Sequence, residues 1–145
     1  MKKYILMLTF CAGSTLTFAQ RNHDQNDPPQ SVQRSWHKEY PNRENEPWEY
    51  KNNHWHTRYQ DRDHSNRNVD VYYDRNGRRR YSQTDWDRND LPMRVQNRMR
   101  NRYHADNYTA TRIERPGGQF YFQLSFGNNR TVYLDNQGRE TTRRW

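Results

Sequence analysis

The chain has 145 residues, with 25 Lys and Arg against 17 Asp and Glu, a formal net charge of +8. Only 30% of it is hydrophobic, yet it holds 5 Trp, 11 Tyr and 5 Phe and a single Cys. That length suits one domain, and the scarcity of Val, Ile, Leu and Phe, below the ~20% that accompanies disorder, excludes an ordinary aliphatic core.

The first element is a signal. Lys2 and Lys3, the mostly apolar run from Tyr4 to Phe18, and the small-x-small site Thr17-Phe18-Ala19 predict a secretory signal peptide over 1–19, cleaved before Gln20. The run is too short and too broken by Thr, Ser and Gly for a membrane span. Cys11 would suit a lipoprotein, but Phe10 stands where a lipidation signal needs a small residue. Cleavage leaves 126 residues, a charge of +6, no cysteine and no transmembrane segment, so neither a disulfide nor thiol chemistry is expected. Residues 20–25 read as a disordered polar leader. The core must then be built from rings, each burying ~150–250 Å².

Residues 26–40, NDPPQSVQRSWHKEY, and 89–103, NDLPMRVQNRMRNRY, repeat one helix start at an offset of 63. Asp27 and Asp90 are the expected N-caps, with Pro29 and Pro92 in the first turn. Val32, Trp36 and Tyr40 in one copy, and Leu91, Val95, Met99 and Tyr103 in the other, form the apolar faces. Pro41 stops the first helix. Strands follow each helix. HWHTRYQ at 54–60 points Trp55, Thr57 and Tyr59 inward and His54, His56 and Arg58 outward, and QFYFQLSF at 119–126 turns Phe120, Phe122, Leu124 and Phe126 inward. VYYDRNG at 71–77 and VYLDNQG at 132–138 place Val71, Tyr73, Val132 and Leu134 inward, Tyr72 and Tyr133 outward, and end in Gly turns. Asn52-Asn53 and Gly117-Gly118 mark the turns before the second strands, and fourth strands are expected near 78–83 and 139–143.

The expected fold is therefore α+β, a tandem duplicated unit of one helix and about four antiparallel strands, with units near 26–88 and 89–145. One extended antiparallel sheet carries both helices on one face. Val32, Trp36, Val95 and Met99 should pack on Trp55, Tyr59, Val71, Phe120, Phe122, Leu124 and Val132.

This order of segments resembles the PepSY-like family of beta-lactamase-inhibitor-like periplasmic proteins. The resemblance lies in EYPNRENEPWEYKNNHWHTRY, VDVYYDRNGRRRYSQT, DLPMRVQNRMRNRY and FYFQLSFGNNRTVYLDNQG, and covers about residues 27–145. It implies a two-unit fold like that of the beta-lactamase inhibitor proteins, export, and a non-enzymatic binding role with no named target. The chain departs from the family in its abundance of Arg and Asn, and in Trp36 and Met99, where Ile or Val is usual.

Several chemistries can be weighed directly. His54 and His56 share a strand face at a spacing that suits Zn²⁺ or Cu²⁺, but a structural site needs further ligands and a polar outer face explains the pair; no metal or other cofactor is expected. DRDHSNRNVDVY starts at Asp61 like a calcium loop, yet Asn66 replaces its Gly and Tyr72 its Glu, so a strand-connecting loop is expected there. Catalysis lacks both a nucleophile motif and an unexplained carboxylate, since Asp74 and Asp135 belong to turns. Arg94, Arg98 and Arg102 form a like-charged row that an anionic glycolipid or polymer of the envelope could offset, against the plainer reading of pairing with nearby acids. Export removes the usual access to nucleic acid. The remaining surface is the sheet face away from the helices, carrying His54, His56, Arg58, Tyr72, Tyr121 and Tyr133, residue types that anchor protein interfaces. Another envelope or secreted protein is the expected partner.

Overall fold

The structure is a computed structural model that describes residues 27–43, 46–62, 66–127 and 129–142. The expected signal peptide, the leader, residues 63–65 of the calcium-like stretch and Arg143 at the end of the expected fourth strand lie outside these residues. The elements run α1 (Gln30–Glu39), β1 (Trp48–Lys51), β2 (His54–Asp61), β3 (Arg67–Tyr73), β4 (Arg79–Trp86), a 3₁₀ turn (Arg88–Asp90), α2 (Met93–Tyr103), β5 (Tyr108–Glu114), β6 (Phe120–Phe126) and β7 (Arg130–Leu134). All seven strands form one antiparallel sheet in chain order. Among the described residues no helix is long and apolar enough to cross a membrane. This is the expected α+β fold, a single sheet with two helices on one face.

Each helix covers its own part of the sheet. Val32 and Trp36 of α1 pack on Trp55, Val69, Val71 and Tyr73, with Tyr40, Trp48 and Tyr59 around them. Rings do most of this work, as the composition requires: Trp36 lies 4.3 Å from Tyr40, 5.6 Å from Trp48 and 5.9 Å from Tyr59, centroid to centroid. Its indole N–H donates to the Arg43 carbonyl at 2.7 Å, which satisfies the one polar atom this ring takes into the core. Leu91, Val95 and Met99 pack on Ala110, Phe122, Leu124 and Leu134, bordered by Trp86, Phe120, Phe126 and Val132.

The same turn fixes both helices to the sheet. Asp74 Oδ1 accepts from the N–H groups of Asn76 and Arg78 at 2.9 and 3.0 Å, and Asp135 Oδ1 accepts from Gln137 and Arg139 at 2.8 and 2.9 Å. These bonds shape turns whose glycines have φ +79° at Gly77 and +74° at Gly138. Both glycines are pressed against helix backbone. A β-carbon on Gly77 would stand 2.3 Å from the Ser31 carbonyl oxygen, and one on Gly138 2.6 Å from that of Arg94.

Three expectations are corrected. Asp90 does not cap α2. Pro92 disfavours helical geometry in Leu91, which is extended at φ −66° and ψ 149°, so the helix starts later with Pro92 at its N-cap. Pro29 does the same for α1, displacing Asp27. The repeated glutamines brace these uncapped starts: the Gln33 amide donates to the Pro28 carbonyl and that of Gln96 to Leu91, both at 2.8 Å. The fourth strand of the second unit shrinks to a bridge between Leu134 and Glu140, with Thr141 N–H donating to Tyr133 at 2.9 Å. It lies at the edge, whereas its counterpart β4 is paired on both sides. Finally, the second half of the calcium-like stretch is strand β3, fully paired with β2.

Candidate functional site

Both helices cover one side of the sheet, and among the described residues no helix lies on the other. Cross-strand register sets what stands there. His56 pairs with Tyr72, and Tyr72 with Tyr81, so three rings from β2, β3 and β4 stand in a row. His56 stacks on Tyr72 at 4.7 Å, and Tyr72 on Tyr81 at 4.5 Å, with interplanar angles of 25° and 24°. His54 reaches the end of the row, 6.1 Å from Tyr81.

A charged group sits against this row. Asp70 Oδ1 lies 2.6 Å from His56 Nε2 and 2.8 Å from Arg58 Nε, while Arg58 Nη2 donates to Oδ2 at 3.0 Å. Burial pushes the Asp70 carboxyl up, but bonds from His56 and Arg58 outweigh it and hold it below the usual range. Burial, then the Asp70 charge, pushes the Tyr72 phenol up to about 12, and its hydroxyl donates to Gln83 Oε1 at 3.3 Å.

Asp70 therefore gives a pH-dependent test. Its folded pKa is depressed, so its contribution is complete above the unfolded value, about 4, and is lost as pH falls through the folded value. Asp70→Asn is expected to cost about 1–2 kcal/mol at neutral pH, a low figure because Arg58 is 61% exposed. Denaturation of both proteins across pH should show the gap closing below about pH 4. A gap that widens there would contradict this geometry.

All six residues expected on the open face point to that side, but they do not form one patch. His54, His56, Arg58 and Tyr72 gather on β2 and β3. Tyr121 and Tyr133, 5.9 Å apart, lie on β6 and β7, across Gln83 and Ile113. Tyr121 is only 8% exposed and Ile113 is fully buried. Tyr121 is thus floor rather than contact surface, while Tyr133 remains half-buried. Sequence reasoning missed Asp70, Tyr81, Gln83 and Ile113. Period-two alternation from Val71 gives Asp70, and from buried Ser82 gives Tyr81 and Gln83. Ile113 needed the β4–β5 register.

The arginine row of α2 is partly spent within the molecule. Arg98 Nε donates to the Gly138 carbonyl at 2.9 Å, and Arg102 Nε meets Glu140 Oε1 at 3.0 Å. Arg94 is exposed. His54 Nδ1 lies 2.8 Å from the Asn52 carbonyl. Among the described residues no group of three His, Cys, Asp or Glu side chains is placed to hold a metal ion.

No family model matches the chain, and no curated protein does. Solved structures do. A DUF2874 family protein from Bacteroides ovatus is similar with a TM-score of 0.70 at 19% identity, over 81% of this chain and 86% of that one. A BLIP-like protein from Bacteroides fragilis gives 0.64 at 22% identity, over 80% and 84%. A protein from Bacteroides eggerthii, named as a proposed periplasmic protein, gives 0.64 at 18% identity, over 81% and 88%. At these identities the likeness shows the fold alone, a BLIP-like one.

Proposed function

We propose that the chain is an exported, non-enzymatic module of the PepSY-like kind that binds another envelope or secreted protein through the open face of its sheet. The observation that carries this is the stacked row of His56, Tyr72 and Tyr81, standing clear of both helices. Preassembled rings lose little conformational entropy on binding and offer both apolar area and polar tips. The signal-like residues 1–19 and the Bacteroides eggerthii likeness support export. The fold likeness to a BLIP-like protein supports binding over catalysis and leaves the target open.

The rival is an envelope-associated protein that binds anionic glycolipid or polymer through Arg94, Arg98 and Arg102. Pull-downs from envelope extracts separate the two with three baits: the unaltered protein, Tyr72→Ala/Tyr133→Ala, and Arg94→Glu/Arg102→Glu. Tyr121 is left in place because it is buried, and Arg98 because it braces the Gly138 turn. The tyrosine pair should lose its protein partner and the arginine pair should keep it. Binding should also change little with salt, since desolvated rings are not screened as exposed charges are, over ~8–10 Å. Loss confined to the arginine pair would reject the sheet-face reading and favour the rival.

A further inference from the structure

We propose that the cleft between the β3–β4 and β5–β6 hairpin tips binds an anionic saccharide, a sugar ring carrying phosphate or carboxylate. It lies at the end of the sheet where the two halves of the chain meet. Arg78, Arg79, Arg80, Tyr81 and His54 line it from one half and Arg115 and Pro116 from the other, around a volume of about 900 Å³. The Asp74 N–H closes one hairpin on the Arg78 carbonyl at 3.0 Å, and the Arg115 N–H closes the other on Gln119 at 2.8 Å.

A bulge assembles the arginines. Tyr72 pairs with Tyr81 but Tyr73 pairs with Arg79, so Arg80 is an extra residue in β4. Plain alternation would turn Arg80 toward α1. The bulge instead returns Arg79 to the helix side, where it meets Glu39 at 3.1 Å, and releases Arg80. Bulges of this kind re-aim side chains at functional sites.

The charge is poorly balanced. Among the described residues the one ion pair of Arg80 is a 3.9 Å contact with Asp74 Oδ2, and the other Asp74 oxygen is taken by two backbone N–H groups. Arg78 and Arg115 make no ion pair among the described residues. Guanidinium groups crowded together repel unless an anion joins them, and their planar forks fit carboxylate and phosphate. A bare ion would leave most of the cleft empty. The volume suits a small organic ligand, typically ~300–1,000 Å³, and Tyr81 with Pro116 supplies ring surfaces for the apolar face of a sugar. This site shares no residue with the α2 row; it meets the open-face ring row at Tyr81 and His54, but its arginines lie outside that row and saccharide binding does not require a protein partner there.

Isothermal titration of the full chain tests this with tetragalacturonate and glucose 1-phosphate, against inorganic phosphate and neutral maltotetraose. At least one anionic saccharide should bind, inorganic phosphate should bind about tenfold more weakly or less, and maltotetraose should not bind. Binding of tetragalacturonate alone would assign a carboxylate-bearing polymer, and of glucose 1-phosphate alone a phosphate-bearing glycan. Arg78→Gln/Arg80→Gln/Arg115→Gln should lose about tenfold or more in affinity with an unchanged melting temperature. If that triple change lowers the melting temperature, Arg115→Gln alone is read for the same loss. Tyr81→Leu should abolish the preference over inorganic phosphate. Absence of binding to both saccharides, equal binding of phosphate or maltotetraose, or undiminished binding by the arginine variant would overturn the proposal.

Discussion

Gly138→Ala is expected to destabilise the domain by about 3–5 kcal/mol, and Gly77→Ala by at least as much. Two costs combine. At φ +74° and +79° an alanine is strained, a cost of about 1–3 kcal/mol. The new β-carbon must also push a helix carbonyl away, from 2.6 Å at Arg94 or 2.3 Å at Ser31. Backbone in a packed helix cannot yield as a flexible side chain does, because Val95 and Val32, the residues that follow these carbonyls, are fully buried. Gly117 provides the control. It has φ +92°, but no atom lies within 4 Å of where an alanine methyl would stand, so Gly117→Ala should cost only the backbone strain. Denaturant unfolding of the three variants checks this. Equal losses at all three positions would mean that the glycines serve only turn geometry and do not hold the helices to the sheet.

Trp36→Ala should cost a similar amount, about 3–5 kcal/mol. Trp36 is 1% exposed and joins α1 to Tyr40, Trp48 and Tyr59. Removing it leaves a large void under a short helix and strips the Arg43 carbonyl of its indole donor. Trp36→Phe restores part of the ring but not that donor and should fall between. Trp86→Ala should cost less, because Trp86 is half-buried at the edge of the other cluster and shares its surroundings with Arg67 and Arg112. A milder effect at Trp36 than at Trp86 would place the weight of the core in the second half of the molecule.

The helix faces and strand alternation were legible because burial on one side imposes a period on side chains. Val32 with Trp36, Val95 with Met99, and the inward sets of β2 and β6 follow from that period alone. What was hidden depends on contacts distant in the chain. Pro92 overrides the capping tendency of Asp90 by controlling the backbone of Leu91. The bulge at Arg80 leaves no mark in an Arg-Arg-Arg run, since any of the three could be the extra residue. Tyr121 looks like its neighbours in an alternating strand, and nothing in that alternation marks it as buried. The partners of Arg98 and Arg102 come from the 138–140 turn, about 40 residues away. For the open face, outward direction was readable while accessibility was not.

Whether partners meet the open sheet face or the helices is decided by photo-crosslinking in cells. A photoreactive side chain is placed in turn at Tyr133 and Gln60 on the open face, and at Lys38 and Asn101 on the exposed sides of α1 and α2. A discrete protein adduct from the first two positions, absent from the other two, is the predicted result. Adducts from Lys38 or Asn101 with none from Tyr133 or Gln60 would contradict it.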